Sequence, residues 1–140
     1  MGHKYQTEHY IQYYETDQMG CCHHSNYIRF FEEARSRFFD GTDMPYAEVE
    51  KGGILSPVVA AEMEFKMPCR YSDTVVIEAE LMSYSGVRFS FSYKIFNKET
   101  GDICCVGTTK HCFIDKDGKV ISLKKKDSNL HEIMTALANE

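Results

Sequence analysis

Between Tyr13 and Tyr27 the chain gathers several side chains able to do chemistry: Glu15, Asp17, Cys21, Cys22, His23 and His24, with Gly20 among them. A carboxylate is ionised at neutral pH and can serve as nucleophile or general base. Asp17 can equally cap its own glycine-containing turn. Cys22 near His24 offers a second nucleophile, because catalytic cysteines sit beside a histidine and a helix start. Four adjacent Cys and His residues also invite a metal reading. Consecutive ligands wrap one tetrahedral ion poorly, however, and the Cys-x2-Cys spacing of zinc sites is absent. No metal and no other cofactor is expected.

The elements that must position this loop can be read from periodicity. Tyr5–Tyr14 alternates polar and apolar groups and predicts a strand. Tyr27, Phe30, Phe31, Ala34 and Phe38 recur at helical spacing, with Arg29, Glu32, Glu33 and Arg37 on the other faces. That pattern predicts a helix directly after the polar loop. Ser25 or Asn26 is placed to cap its start, and Gly41 lies just past its end. Residues Thr42–Gly53 form a connection with some helical character. Four strands follow Pro57, marked by period-two alternation: Ala61–Met67, Val75–Leu81, Val87–Ile95 and about Ile103–Ile114. Ser85-Gly86 and Thr100-Gly101 supply turns between them. The lysines at 124–126 read as a solvated loop, and Asn129–Asn139 as a second helix with Asn129 and Glu132 as a capping pair. A long apolar helix ahead of an antiparallel meander makes an α+β domain, the sheet wrapped around the helix.

The loop and the helix after it carry a resemblance. Asp17, Gly20 three residues on, His24 four further, then Tyr27 opening an aromatic helix through Phe30-Phe31-Glu32-Glu33-Ala34-Arg35, is similar to the signature of the 4-hydroxybenzoyl-CoA thioesterase family of hotdog proteins. The order of elements also matches, from about Tyr5 to Ile114. The resemblance implies one hotdog domain over residues 1–140 that hydrolyses the thioester of an acyl-CoA. By position, Asp17 becomes the catalytic carboxylate, attacking the thioester carbonyl or activating a water. His24 marks the helix start, whose backbone amides polarise the carbonyl oxygen; as a side chain it is a base, a pocket wall or a plain helix-start residue. Gly20 and Tyr27 belong to the pocket, Tyr27 serving as core, ligand wall or both.

In such relatives two sheets join edge to edge and active sites lie between chains. A homodimer or homotetramer is therefore expected, with Ile54, Val58 and Val59 of a second copy completing the acyl pocket. Ser85, Arg88 and Ser90 lie in a hairpin that contacts the CoA nucleotide in relatives; an ordinary exposed strand face is the other reading. Glu33 is a minor catalytic alternative, because a helix glutamate serves in some hotdog enzymes. The chain departs from the family pattern at Cys21-Cys22, where small aliphatic residues are common. A hotdog dehydratase, or a module that binds acyl-CoA or acyl-carrier protein without turnover, are the competing functions. The acyl group, and the choice between CoA and an acyl-carrier protein as its bearer, are left open by the residues.

Composition bounds the rest. The 140 residues suit one domain, and 43% hydrophobic and 13% aromatic content is that of a folded protein. A formal net charge of −5 speaks against a broad nucleic-acid surface. No apolar run approaches the ~20 residues that span a bilayer, so no membrane insertion is expected. The first ten residues lack the apolar segment of a signal peptide, and the six cysteines show no framework spacing. Reduced thiols in the cytosol are the expectation.

Overall fold

In the computed structural model, which describes residues 4–42 and 45–139, the sequence periods become one antiparallel sheet holding one long helix. The strands are β1 (Lys4–Tyr10), β2 (Val58–Phe65), β3 (Thr74–Tyr84), β4 (Arg88–Asn97) and β5 (Ile103–Cys112). They pair in the order β1-β3-β4-β5-β2, all antiparallel. Helix α1 (Ser25–Phe38) buries Tyr27, Phe30, Phe31, Ala34 and Phe38, the stripe that its spacing predicted. Against it lie the inward residues of the central strands: Val75, Ile77, Ala79 and Leu81 of β3, and Phe89, Phe91, Tyr93 and Ile95 of β4.

Two contacts fix how deeply α1 sits. Phe31 stacks on Tyr93 at 4.2 Å between ring centroids, and Phe38 meets Phe91 edge-on at 5.0 Å. The strand beneath Phe31 carries Gly107, where a Cβ would stand 2.8 Å from a Phe31 ring carbon and 2.6 Å from the Glu62 carbonyl oxygen. Only glycine lets the ring and the β2 backbone approach that closely.

Several boundaries differ from the sequence reading. The first strand stops at Tyr10, and Tyr13–Glu15 turns as a short 3-10 helix because the Glu15 side chain reaches back to the Gln12 amide. The expected connection holds α2 (Tyr46–Lys51); its residues Asp43 and Met44 lie outside the described ones. The alternation of Ala61–Met67 predicted a covered face, yet β2 is exposed on both faces apart from half-buried Met63. Its place at the sheet edge, paired only with β5 within the chain, explains this. The three lysines form the short helix α3 (Leu123–Lys126), anchored by buried Leu123. Helix α4 (Ser128–Ala138) is capped by Asp127, which accepts from the Leu130 amide at 3.0 Å, and not by Asn129. No helix among the described residues is long and apolar enough to cross a membrane.

Candidate active site

The loop from Thr16 to His24 is folded back on itself before α1 begins. Thr16 and Cys22 pair across it, and the Asp17 amide donates to the Cys21 carbonyl at 2.8 Å. Gly20 closes the turn with φ +83°, a conformation that side chains resist. Asp17 caps this turn as its type suggested: Oδ1 accepts from the amides of Met19 at 2.9 Å and Cys21 at 3.3 Å. Its Oδ2 has no hydrogen-bond partner among the described residues. A carboxylate fixed by one oxygen and free at the other is oriented without being used up.

Glu15 anchors the loop from below, and its importance was not visible in the sequence. It is 7% exposed, and Oε1 accepts from the Gln12 amide and from His9 Nε2, both at 2.8 Å. Its carbonyl accepts from the His23 amide at 2.8 Å and from Asn26 Nδ2 at 2.9 Å. One residue thus joins β1, the loop and the first turn of α1. Asn26 is spent on this contact and does not cap the helix. His24 stands at the N-cap without a side-chain cap bond, and His23 just before it accepts from the Ser25 amide through Nδ1 at 3.1 Å. The Asn26 and Tyr27 amides reach the carbonyls of His23 and His24. The His24 amide, at the helix start, donates to nothing among the described residues.

Asp17, Met19, Cys21, Cys22, His24 and Tyr27 line one side of a solvent-open groove, and Phe65–Pro68 line the other. Its empty volume is about 600 Å³. Aromatic rings furnish its walls: Phe65 meets Tyr27 at 5.3 Å and His24 at 6.2 Å, both edge-on. Arg70 reaches over from the β2–β3 connection, its Nη1 donating to the Gly20 carbonyl at 3.4 Å. A groove that joins a free carboxylate oxygen, a free amide at a helix N-terminus and an aromatic wall is equipped for acyl transfer.

Comparison with known proteins places the chain in a family. The profile of the thioesterase-like superfamily matches residues 11–134. The chain belongs to this family of hotdog thioesterases. As a member it is a thioester hydrolase. The Bacillus subtilis protein YneP, provisionally named an acyl-CoA thioesterase, is 33% identical over 86% of this chain and 88% of its own length. The crystal structure of a DHNA-CoA thioesterase from Staphylococcus aureus superposes with a TM-score of 0.89 at 34% identity, covering 97% of this chain and 93% of that one. A hypothetical protein from Aquifex aeolicus superposes at 0.83 with 32% identity over 93% and 98% of the two chains.

Within this hotdog chain the other candidate residues lie apart from the groove. Ser85, Arg88 and Ser90 sit at the β3–β4 hairpin, at the end of β3 opposite Thr74, whereas the Asp17 loop adjoins the Thr74 end. Val58 and Val59 are exposed on edge strand β2, and Ile54 is buried in the core of its own chain. Glu33, the helix alternative, does not line the groove; its Oε2 faces His9 Nδ1 at 3.8 Å. Cys22 is a poor resting nucleophile. Cys69 beside it and its burial hold its proton well above the ordinary thiol range, and its sulfur donates to the His23 carbonyl at 3.9 Å. No group of three or more His, Cys, Asp or Glu placed to hold a metal ion occurs among the described residues.

Proposed function

We propose that this protein hydrolyses the thioester of an acyl-CoA to a free acid and CoA, with Asp17 as its catalytic carboxylate. The observation that carries this is the pairing, in one groove, of a carboxylate held at Oδ1 and free at Oδ2 with the unpaired His24 amide at the start of α1. The thioester carbonyl lies with its oxygen toward that amide, where the helix dipole favours the developing negative charge. Asp17 then adds to the carbonyl carbon, or takes a proton from a water that adds instead. The C–S bond breaks, and CoA leaves as a thiolate that picks up a proton from solvent. On the first route a second water cleaves the resulting anhydride.

The rings of Tyr27, His24 and Phe65 favour a flat aromatic acyl group, and the likeness to the Staphylococcus aureus enzyme makes 1,4-dihydroxy-2-naphthoyl-CoA the first substrate to try. A panel that also holds benzoyl, short-chain and medium-chain CoA esters, and the same acyls on an acyl-carrier protein, ranks substrates by kcat/KM. The exposed apolar edge of β2, with Val58, Val59 and Phe65, supports assembly with a second copy. Assembly would bring a partner's hairpin, with Ser85, Arg88 and Ser90, toward the groove. Arg88 then pairs with a CoA phosphate.

The deciding experiment is Asp17→Asn. Asparagine keeps the shape and the acceptor that caps the turn but loses the charge. The variant should fold and bind substrate while kcat falls at least about a hundredfold. Near-normal kcat would move the chemistry off Asp17. Single-turnover hydrolysis in ¹⁸O water separates the two routes, because label in the Asp17 carboxylate identifies the anhydride.

A further inference from the structure

Directly behind the groove lies a cluster that hydrolysis does not use. Cys22, Cys69 and Cys104 come from the Asp17 loop, the β2–β3 connection and β5, and are 5%, 0% and 1% exposed. Their side chains converge on Cys69: Cys104 and Cys22 are the neighbours that lower its thiol pKa, while their own protons point to the Asp102 and His23 carbonyls at 3.7 and 3.9 Å. The Tyr27 hydroxyl is a third neighbour, 3.2 Å from the Cys69 sulfur. Polar neighbours around one sulfur favour its anion in place of water, so Cys69 ionises more readily than an ordinary thiol. The next protons are correspondingly held, which raises Cys22 and Cys104.

The backbone adds a second, independent geometry. The Cys22 amide donates to the Cys69 carbonyl at 2.7 Å. Such a bond keeps two Cα atoms roughly 5–6 Å apart, inside the window of about 4.4–6.8 Å that a disulfide spans. Of the three cysteines, only Cys22 also lines the groove, so a small oxidant meets it first. Cys104 lies deeper on β5, its thiol directed to the Asp102 carbonyl.

We propose that Cys22 and Cys69 form an oxidant-sensitive thiol pair whose disulfide staples the two walls of the groove together. The staple joins the Asp17–His24 loop to the segment that follows Phe65–Pro68, so neither wall can yield to an acyl group. A hydroperoxide is the oxidant. One proton is shared along the Cys22–Cys69 contact, and its transfer to Cys69 leaves the thiolate on Cys22. That thiolate attacks a peroxide oxygen, the O–O bond breaks, and hydroxide departs, leaving a sulfenic acid on Cys22. Cys69 attacks the sulfenic sulfur, the S–S bond forms, and the displaced hydroxyl leaves as water with the remaining proton. Two thiols become one disulfide, and one hydrogen peroxide becomes two waters.

The effect on turnover rests on the proposed hydrolysis, whereas the disulfide does not, so the test reads them separately. The folded, reduced protein is treated with hydrogen peroxide, alkylated and digested without reductant, and linked peptides are mapped by mass spectrometry. A Cys22–Cys69 linked peptide, abolished by dithiothreitol, persisting in Cys104→Ser and lost in Cys22→Ser, is the expected result. No linkage, or linkage of Cys69 to Cys104 in the wild-type protein, overturns the proposal. Turnover of the best acyl-CoA should drop at least tenfold on oxidation and return on reduction. A mapped disulfide with unchanged turnover refutes the staple. Absence of turnover in the reduced protein counts against the proposed hydrolysis and leaves the mapping valid.

Discussion

Acid should destabilise this protein through one buried histidine. His111 on β5 is 1% exposed and stacked on Phe89 at 4.6 Å. It ends a chain of hydrogen bonds whose directions are mutually consistent. Arg35 Nη1 donates to the Tyr93 hydroxyl at 3.0 Å, Tyr93 to Thr109 Oγ1 at 2.6 Å, and Thr109 to His111 Nε2 at 2.8 Å. His111 Nδ1 then donates to the Ser56 carbonyl at 3.4 Å, which fixes the neutral tautomer. Burial pushes the imidazole down to about 4 from 6.5, and the Arg35 charge adds to the shift. The unfolded chain therefore binds a proton on His111 that the folded chain refuses, and stability falls as pH drops through 6.5 and levels off below about 4. The full effect of that shift is about 3 kcal/mol, and at pH 5 about 2 kcal/mol of it has already been lost. Urea denaturation from pH 7.5 to 5 measures it, with His111→Gln as the reference. Glutamine cannot take up the proton, so the variant, though less stable at neutral pH, should lose about 2 kcal/mol less over that interval. Parallel pH profiles for the two proteins would refute the reasoning.

The remaining tests probe the frame of the site. Gly107→Ala forces a methyl group into Phe31 and the Glu62 carbonyl, and should cost about 1–3 kcal/mol in urea denaturation at pH 7.5. Glu15→Ala strands the Gln12 amide and should cost about 1–3 kcal/mol, with a fall in kcat because the Asp17 loop loses its anchor. Arg88→Ala should raise KM for CoA esters with little change in kcat, the mark of uniform binding. Light scattering at micromolar concentration should give at least twice the 16.2 kDa chain mass.

What the sequence made legible is what repeats. The stripe Tyr27, Phe30, Phe31, Ala34 and Phe38, and the alternation in β3 and β4, each repeat a period several times over, and burial followed that period. The same alternation misled in β2, because a period says which side chains share a face and not whether anything covers it. Cover is set by strand order, and β2 stands at an edge that no local pattern announces. The Asp17 loop was legible for another reason: its residue types and spacing form a motif. Glu15, two residues away, was not, since its partners His9, Gln12 and Asn26 are brought together only by folding. A signal existed nonetheless, because an acidic side chain among tyrosines just before a helix start needs partners if it is to be buried.

The division of labour around α1 explains why these parts occur together. Under the proposed hydrolysis α1 begins at the groove with one amide unspent, while the other amides of its first turn need partners. The chain meets the conflict residue by residue. His23 satisfies the Ser25 amide with its ring, and the carbonyls of His23 and His24 take those of Asn26 and Tyr27. Glu15 takes the His23 amide through its own carbonyl, and the His24 amide is left without a partner among the described residues. Asp17 follows the same economy, with one oxygen tied to its turn and one free. On the proposed reading the free Asp17 oxygen and the His24 amide are an anion and a donor, the complementary pair that addition to a carbonyl requires: one for the carbon, one for the oxygen. Glu15 and His23, which are not themselves placed to attack a carbonyl, spend their polar groups holding the loop and the first turn of α1 in place.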